Sequence, residues 1–415
     1  MAKKVNLPEP IIPNDSWKVV KLGQYVKILN GYPFDSSRFT NSNENTYPLI
    51  RIRDVVRGYT ETFTDEDCPD EYKIKKGEIL IGMDGDFNIS RWKSDFGLLN
   101  QRVCKISTVS KDLDEKFLFY YLPIPLKLIN DATPSVTVKH LSSTSLQELH
   151  FPLPTLAEQQ RIVNRIESMF AKLDEAKEKA QNVVDGFETR KAAILHKAFT
   201  GELTAKWRRE NGVSDDSWVE KLFDSCIAKM QNGLSKRSGN EGEETVVLRL
   251  ANMGEDDFDV SDLRTIKLTS KEKNNYSLAK NDVVMIRVNG SKTNVGRQLL
   301  VKNNKGWSFC DHIIRIQFEV FCLPNYMVYF SKTKEYIDYV QDNMVSSAGQ
   351  NTISRKGLSN LSLKVPTLPE QVDIVRILDI IIEKENKAKQ AAEAVLEQID
   401  LLKKSILARA FRGEL

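Results

Sequence analysis

The feature that most constrains this 415-residue chain is a duplicated segment. Residues 154–203 begin PTLAEQQRIV and end AFTGEL, and residues 366–415 begin PTLPEQVDIV and end AFRGEL. The offset is 212 at both ends (366 − 154 and 415 − 203), so the two copies align without a gap. Similarity of this kind at so large a separation indicates an internal repeat.

Each copy of the repeat is predicted to form one long helix. A Pro-Thr pair followed by Glu-Gln is typical of a capped first turn, and Gly201 and Gly413 follow the last apolar residue, where a left-handed cap is common. Gly186 is expected to weaken the first helix locally. Apolar residues recur in steps of three and four, which is a heptad seam. The seam comprises Val163, Ile166, Phe170, Leu173, Val184, Phe187 and Ile194 in the first copy, and Val375, Leu378, Ile382, Leu396, Ile399 and Ile406 in the second.

Such a seam needs a partner, and the other copy is the nearest one available. We therefore expect the two helices to pair within the chain as a coiled coil. Five polar residues interrupt the seam, namely Lys177, Lys191, Glu385, Lys389 and Lys403. They either fix the register of the pair or mark a frayed seam whose lysine stems reach outward to solvent.

The segments between the helices have the pattern of mixed α/β domains. In the first, strands are expected at 47–56, 77–83 and 102–106, and a short helix at 117–121. The second repeats this order at 246–252, 281–288, 311–316 and 326–330, with little other similarity. The predicted fold is α+β, with two mixed domains separated by two long helices. Its segments are 1–153 (first domain), 154–203 (central helix), 204–365 (second domain) and 366–415 (C-terminal helix).

Composition is that of an ordinary soluble protein, with 41% hydrophobic and 28% charged residues. No apolar run is long enough to span a bilayer, so we expect no membrane association. The five cysteines show no paired spacing, which favours reduced thiols in a cytoplasmic protein. A net charge of +3 permits a nucleic-acid partner but does little to identify one.

The sequence lacks the motifs that catalysis would need. There is no GxxxxGKS/T phosphate loop, no glycine-rich dinucleotide turn and no Pro-Pro signature of amino-methyltransferases. The run Cys310-Asp311-His312 has no second pair of metal ligands beside it in sequence, and is interpreted as core cysteine and strand end rather than a metal site. Residues 70–73 (DEYK) are interpreted as a solvated turn rather than a nuclease site. We expect a chain that catalyses nothing by itself.

Two similar helices and two divergent domains give approximate two-fold symmetry within one polypeptide. Duplex DNA has local dyads that match such an arrangement, so two readers can be held on two half-sites at a fixed separation. The helices would set the separation, and each domain would read its own sequence. This explains why the helices remain similar while the domains diverge.

The paired strings PTLAEQQRIVNRI and AILHKAFTGEL, with PTLPEQVDIV and SILARAFRGEL after the second domain, resemble the specificity subunit of type I restriction-modification enzymes. The resemblance covers essentially the whole chain. It implies that the two long helices form an antiparallel coiled coil, and that the chain is a non-catalytic subunit that recognises a bipartite, asymmetric target in double-stranded DNA. It also implies two modification subunits that use S-adenosylmethionine to methylate adenine, docked on the helices, and two restriction subunits that use ATP and Mg²⁺. Those cofactors would belong to the partners.

Candidate DNA contacts lie in polar loops that follow strands. Phosphate contacts need Lys, Arg, Ser, Thr, Asn or backbone amides, and base reading needs bidentate Arg, Asn or Gln. In the first domain the candidates are Asn88, Ser90, Arg91, Thr137 and Lys139. In the second they are Asn289, Ser291, Lys292, Asn294, Arg297, Gln350, Asn351 and Arg355. Arg51 and Arg249, within strand patterns, suit structural pairs and DNA contacts equally.

Two other hypotheses belong to different functional classes. A self-contained DNA-modifying or DNA-cleaving enzyme would need cofactor motifs that the sequence lacks. A structural protein that oligomerises through its helices is disfavoured by the internal pairing of the helices and by the Asn- and Arg-bearing loops.

Overall fold

The computed structural model describes residues 7–10, 17–133, 139–303 and 305–415. The chain divides into two compact units, Met1–Gln181 with Ala394–Leu415, and Asn182–Glu393. Each unit therefore contains one globular domain together with a segment of both repeated helices. None of the helices in the described part of the chain combines the length and the apolar character needed to cross a membrane.

The domain of the first unit is built on three sheets. Its strands are β1 (Lys18–Lys21), β2 (Val26–Asn30), β3 (Phe39–Thr40), β4 (Tyr47–Ile50), β5 (Phe63–Thr64), β6 (Lys73–Lys75), β7 (Ile79–Gly82), β8 (Ile89–Arg91), β9 (Phe96–Leu99), β10 (Val103–Thr108) and β11 (His150–Leu153). Its helices are α1 (Ile52–Arg57), α2 (Glu115–Tyr121), α3 (Pro123–Ala132) and α4 (Ser143–Gln147). The sheet orders are β2-β10-β7-β8, β3-β5-β4-β9-β6 and β1-β11.

The predicted strand at 47–56 is wrong in its second half. The strand stops at Ile50, and α1 follows at once. The cause is the Asp54 carboxylate, which accepts a 2.9 Å hydrogen bond from the backbone N–H of Arg51 and so caps the new helix. Asn252 accepts the same bond, also 2.9 Å long, from Arg249 in the second domain. A local cap therefore overrides the apolar alternation in both halves.

The helix of the first repeat is interrupted for one residue, at the glycine where the sequence indicates weakness. It consists of α5 (Leu156–Asp185) and α6 (Phe187–Phe199), with Gly186 between them. The Arg190 guanidinium donates a 2.9 Å hydrogen bond to the Val183 carbonyl, which a helix would ordinarily satisfy with a backbone N–H. A side chain at 186 would meet Arg190 Nη1 at 2.4 Å, so glycine leaves room for this arrangement.

The domain of the second unit repeats two of these sheets and adds two three-stranded sheets. Its helices are α7 (Ala205–Glu210), α8 (Ser270–Tyr276), α9 (Pro324–Phe330), α10 (Lys334–Asn343) and α11 (Arg355–Leu358). Its strands are β12 (Val219–Leu222), β13 (Ile227–Asn232), β14 (Glu243–Leu248), β15 (Thr265–Leu268), β16 (Val283–Ile286), β17 (Val288–Asn289), β18 (Gln298–Leu300), β19 (Ser308–Phe309), β20 (Ile313–Phe318), β21 (Val345–Ser347), β22 (Gln350–Thr352) and β23 (Ser362–Val365). The order β13-β20-β16-β18 matches β2-β10-β7-β8, and β12-β23 matches β1-β11. The two added sheets have the orders β15-β14-β19 and β17-β22-β21.

Two further details repeat between the domains. Gly31 and Gly233 each lie so close to a neighbouring backbone, at Asn100 and Cys310, that a Cβ would meet its carbonyl oxygen at 2.0 and 2.1 Å. The predicted helices at 117–121 and 326–330 are confirmed as α2 and α9. Each is the next element along the chain after the equivalent strand, β10 in the first domain and β20 in the second. The duplication therefore includes the domains, although their sequences have diverged.

The second repeat forms one continuous helix, α12 (Leu368–Ala410). In the first unit it pairs antiparallel with α5: Arg161 Nη1 donates to the Leu415 carbonyl at 3.1 Å, and Lys403 Nζ donates to Asp174 at 2.5 Å. In the second unit it pairs antiparallel with α6. There Arg190 Nε donates to Glu385 at 2.8 Å, and the Lys389 ammonium lies 4.7 Å from the centre of the Phe187 ring.

The predicted seam residues differ in burial. Those that are buried are Val163, Ile166, Phe187, Val375, Leu378, Ile382, Ile399 and Ile406. Those that are half-buried are Phe170, Leu173, Val184, Ile194 and Leu396. Of the polar interruptions, Glu385, Lys389 and Lys403 contact the opposite helix, whereas Lys177 is exposed. Gly201 and Gly413 adopt the predicted left-handed conformation, with φ of 83° and 73°.

Each domain is fastened to the start of its helix by a repeated glutamine. The side chain of Gln159 accepts from the Asp114 N–H at 2.7 Å and donates to the carbonyls of Asp112 and Pro154 at 2.8 and 2.9 Å. Gln371 does the same in the second unit: it accepts from the Leu323 N–H at 2.7 Å and donates to the carbonyls of Phe321 and Pro366 at 2.9 and 2.8 Å. Both glutamines are fully buried.

Candidate nucleic-acid interface

The two polar segments singled out in the first domain lie side by side. The loop after β7 contains Asp84 and Gly85, and the Gly85 N–H donates to the Lys139 carbonyl at 3.0 Å. Asp84 accepts a 2.6 Å hydrogen bond from the His140 imidazole. The Leu141 N–H donates to the Met83 carbonyl at 2.7 Å, which joins the end of β7 to this segment. Residues distant in sequence thus form one polar surface.

The candidate residues on that surface differ in exposure and in the hydrogen bonds that they make. Asn88 is exposed, and Ser90 is half-buried on β8. Lys139 donates to the carbonyl and to the side chain of Asn130, at 2.7 and 3.0 Å. Thr137 lies outside the described residues. Among the candidates of this domain that the structure describes, Asn88 is therefore the side chain most accessible to a ligand.

The Arg91 side chain is held by contacts within the first domain. Its guanidinium donates to the Gly77 carbonyl and to the Glu115 carboxylate, each at 2.8 Å, and lies 5.1 Å from the centre of the Phe119 ring. These contacts tie β8 to the start of α2. The side chain is half-buried, so a phosphate would have to compete with Glu115 for it.

The second domain joins its two polar segments in the equivalent way. Asn289 on β17 pairs in register with Asn351 on β22. The Ile353 N–H donates to the Arg287 carbonyl at 3.0 Å, as Leu141 does to Met83 in the first domain. Residues 353 and 141 differ by 212, the offset of the repeat (353 − 141). Each domain therefore presents one composite polar surface at the end of the same strand.

Within this surface the side chains divide into those that shape the turn and those that point into solvent. Asn351 is buried and donates to the Gly290 carbonyl at 2.9 Å. Asn289 accepts from the Ser291 N–H at 2.8 Å, and the Ser291 hydroxyl lies 2.8 Å from that of Thr293. Lys292 and Gln350 are exposed.

The two arginines of this surface are paired within the chain. Arg297 donates to the Asn294 side chain at 3.2 Å and to the Met253 carbonyl, while its buried Nε has no hydrogen-bond acceptor in the described part of the chain. Burial lowers the pKa of the Arg297 guanidinium, although the charges of Glu255 and Asp256 oppose this effect. Arg355, which is exposed, donates to Asp224 at 2.5 Å.

Arg51 and Arg249, for which the sequence favours a structural role and a DNA contact equally, both have partners within the chain. Arg249 donates to the Asp262 carboxylate at 2.8 Å, and the Arg51 guanidinium lies 5.8 Å from the centre of the Phe39 ring. Each also precedes a short helix and donates its backbone N–H to the side chain that caps that helix, Asp54 or Asn252. The structural role of both is therefore established by these contacts, and a further role in DNA binding stays a hypothesis.

The run Cys310-Asp311-His312 places three ligand-type atoms within 4.8 Å of one another. The Asp311 carboxylate is already held by Arg237 at 2.8 Å. Burial raises the pKa of the Cys310 thiol, which keeps it protonated and a weak ligand. These contacts support the interpretation of the run as structural.

Sequence reasoning missed a group of charged residues beside the second polar surface. Lys191, Lys332 and Asp256 line a cleft together with the turn 292–297. In the sequence, this group is indicated only by Lys191, a lysine at an otherwise apolar seam position. The structure shows that this lysine is buried. The other two come from loops whose positions depend on the fold.

The repeated layout has a counterpart among known proteins. The profile of the type I restriction modification DNA specificity domain matches residues 14–184 and again 226–398. The chain belongs to this specificity-subunit family. Its relatives include the specificity subunit of the type I restriction enzyme EcoBI from Escherichia coli, 30% identical over 97% of this chain and 87% of that protein. The StySPI specificity subunit from Salmonella potsdam is 27% identical over 97% and 89%.

Solved structures of specificity subunits share the fold. The HsdS subunit of Thermoanaerobacter tengcongensis superposes with a TM-score of 0.61 at 18% identity, over 97% of this chain and 98% of that one. A chain from a study of assembly and conformational transition of the type I R-M system gives 0.63 at 18% identity, over 99% and 100%. Specificity subunits are the non-catalytic, DNA-recognising parts of type I restriction-modification complexes, and this is the role of the present chain.

Proposed function

We propose that this specificity subunit recognises a bipartite, asymmetric sequence in double-stranded DNA, one half-site for each domain. The domains would be 1–153 and 204–365, and the helices 154–203 and 366–415 would set the spacing between the half-sites. The observation that carries this proposal is the pair of composite polar surfaces. Each is assembled at the end of the same strand by equivalent backbone hydrogen bonds, yet their side chains differ.

The difference in side chains is the reason to expect an asymmetric target. The first surface offers Asn88 to solvent, and the second offers Lys292 and Gln350. Asn and Gln can pair in bidentate fashion with adenine, whereas a lysine on a turn suits a phosphate. Two such unlike surfaces on one scaffold are suited to two unlike half-sites.

The remaining candidates support the surfaces in different ways. We propose that Arg91, Asn289, Ser291, Asn294 and Asn351 chiefly hold the loops in position, because their polar atoms already have partners within the chain. Ser90, Lys139, Arg297 and Arg355 are half-buried or paired, and would contact DNA by exchanging those partners. Thr137 stays a candidate from the sequence alone.

The chemistry would belong to partner subunits. We propose that two modification subunits dock on the paired helices and methylate adenine with S-adenosylmethionine, and that two restriction subunits use ATP and Mg²⁺ to move along DNA and cut it. The complex would act in the cytoplasm, where it meets incoming DNA. The exposed apolar residues of α12, such as Val372, Ile380 and Leu401, are consistent with a docking role for that helix.

The decisive experiment maps methylated bases in DNA from cells that express this chain with its modification subunit. Cells that express the modification subunit alone provide the control. Methyladenine in one split motif, with two short half-sites and a fixed gap, is the expected result. If the two proteins assemble and no motif appears, the proposal fails.

A further inference from the structure

A cleft of about 620 Å³ lies in the second unit beside the proposed DNA surface. One wall is α6, another is the turn 292–297, and the third is the start of α10. The cleft therefore joins the helix that belongs to the spacer to the turn that belongs to the recognition domain. Both elements lie within the same compact unit.

Basic side chains converge on this cleft from all three walls. Lys191 comes from α6, Lys292 and Arg297 from the turn, and Lys332 from the segment before α10. The Lys191 side chain is only 10% exposed, which is unusual for a lysine on a helix that could have turned it to solvent. A buried ammonium is stable only if anionic or polar groups compensate for its lost hydration.

The compensation comes from an acidic loop, and it is incomplete. Lys191 Nζ lies 3.6 Å from Glu255 and 3.9 Å from Asp256, both beyond hydrogen-bond length. Asp256 pairs more closely with Lys332. Burial acts to raise the pKa of Asp256, but the ion pair with Lys332 and the charge of Lys191 outweigh it, so the pKa lies below its ordinary value. The Nε of Arg297, also in the cleft, has no acceptor in the described residues.

Two carboxylates thus occupy a site in which Lys191 and Arg297 are only partly satisfied. Glu255 is largely exposed, with 73% of its side chain in solvent, so the loop covers the cleft from outside. A DNA phosphate offers several strong acceptor oxygens and would satisfy Lys191 and Arg297 better than Glu255 and Asp256 do. The adjacent exposed Lys292 would extend the same contact along the backbone.

We propose that this cleft binds the phosphate backbone of DNA through Lys191, Lys332 and Arg297, and that the Glu255–Asp256 loop occupies it in place of phosphate until DNA displaces it. This inference rests on the proposed DNA-reading function and adds two elements to it. The spacer helix itself contributes a DNA contact, and an internal carboxylate pair competes with DNA for the site. Because the competition lowers affinity for every sequence equally, the base contacts supply a larger share of the net binding free energy.

The test measures how DNA affinity depends on salt, with the full chain in complex with its modification subunit. The probes are a duplex that carries the mapped target and a scrambled duplex of equal length. Each phosphate contact contributes about 0.9 to the slope of log affinity against log salt. The double variant Lys191→Gln with Lys332→Gln should lower that slope by roughly 2 on both duplexes. The loss of affinity between 50 and 200 mM salt should then be about tenfold smaller than for the unchanged protein.

A second variant has the opposite expected sign, so a folding defect cannot imitate it. Glu255→Gln with Asp256→Asn removes the competing charges and should tighten binding several-fold on both duplexes at low salt, with a steeper slope. The charge-matched controls are Lys197→Gln with Lys206→Gln for the first variant and Glu210→Gln with Asp216→Asn for the second, since all four residues are exposed in the same unit.

The outcomes separate the two proposals. If the unchanged complex prefers its target and the cleft variants behave like their controls, the cleft proposal fails and the DNA-reading function stands. If the unchanged complex shows no preference for any target, the proposed function fails. A change on the target duplex alone would make the cleft a base-reading site and would also overturn the phosphate assignment.

Discussion

The guanidinium of Arg208 donates a 2.6 Å hydrogen bond to the carboxylate of Glu370, and both side chains are buried. Glu370 also accepts from the Thr204 hydroxyl at 2.7 Å. The pair fastens α7, which follows the first repeat, to the first turn of α12. The equivalent residue in the first repeat, Glu158, instead pairs with Arg161 in a partly exposed position.

Replacement of Arg208 by alanine should strongly destabilise the second unit. It leaves the Glu370 carboxylate buried without its counterion, and removal of one partner from a buried pair costs about 3–5 kcal/mol. Arg161→Ala, which breaks the exposed pair of the first repeat, should cost less than about 1 kcal/mol. Chemical denaturation followed by circular dichroism measures both. Equal losses for the two variants would contradict the assignment.

The buried glutamines should be the most sensitive positions at the start of the repeated helices. Gln371→Ala leaves a backbone N–H and two carbonyls in the second unit without their partner, at a cost of about 1–3 kcal/mol. Gln159→Ala should cost a similar amount, and the two effects should add because the residues share no partner. Gln160→Ala, at an exposed position, is the control and should change the free energy of unfolding by less than about 0.5 kcal/mol.

The cysteines should be unreactive in the native protein. All five are buried, and burial raises the pKa of Cys104 to about 12. A thiol with a raised pKa stays protonated at neutral pH, and the thiolate is the reactive form. The pKa of Cys226 is instead lowered by a hydrogen bond with Cys322, so the protection of this thiol comes from its burial. We expect Ellman's reagent to label fewer than one thiol per chain at pH 8, and all five after denaturation. Rapid labelling of the folded protein would show that one of these packed sites opens.

A longer helical pair should widen the gap in the DNA target. Seven residues inserted after Ala176 and seven more after Asp400 preserve the heptad register of the pair and add about 10.5 Å. With a rise of 3.4 Å per base pair, the gap should grow by about three base pairs. Methylation mapping reads this directly. A heptad added to one helix alone is the control and should abolish methylation, because the facing seam is no longer matched.

Two exposed residues of the second surface should behave differently when replaced. Lys292→Ala should weaken binding to all duplexes alike and reduce the salt slope by about 1. Gln350→Ala should relax specificity at one base pair, with a discrimination loss of about 1–3 kcal/mol. A panel of duplexes with single base changes distinguishes these results. Uniform weakening by Gln350→Ala would remove it from base recognition.

The sequence predicted the repeat, the paired helices and the mixed domains because these depend on periodicity and on local caps, while the antiparallel direction of the helices came from the family resemblance. It could not predict which polar side chains are free. Arg91 meets Glu115, 24 residues away, and Asn351 meets Gly290, 61 residues away. Such contacts depend on how strands are brought together, which composition does not encode. The strand predicted at 47–56 failed for a local reason, the cap at Asp54.

The hydrogen bonds of Gln159 and Gln371 have a consequence for how such subunits can change. Apart from the glutamine itself, every donor and acceptor in these joints belongs to the main chain. These hydrogen bonds therefore do not depend on which side chains the domain carries. For this reason, we expect that a domain can change the side chains of its proposed DNA-binding surface and keep these hydrogen bonds to the helix, so that new specificities need no change in the repeated helices.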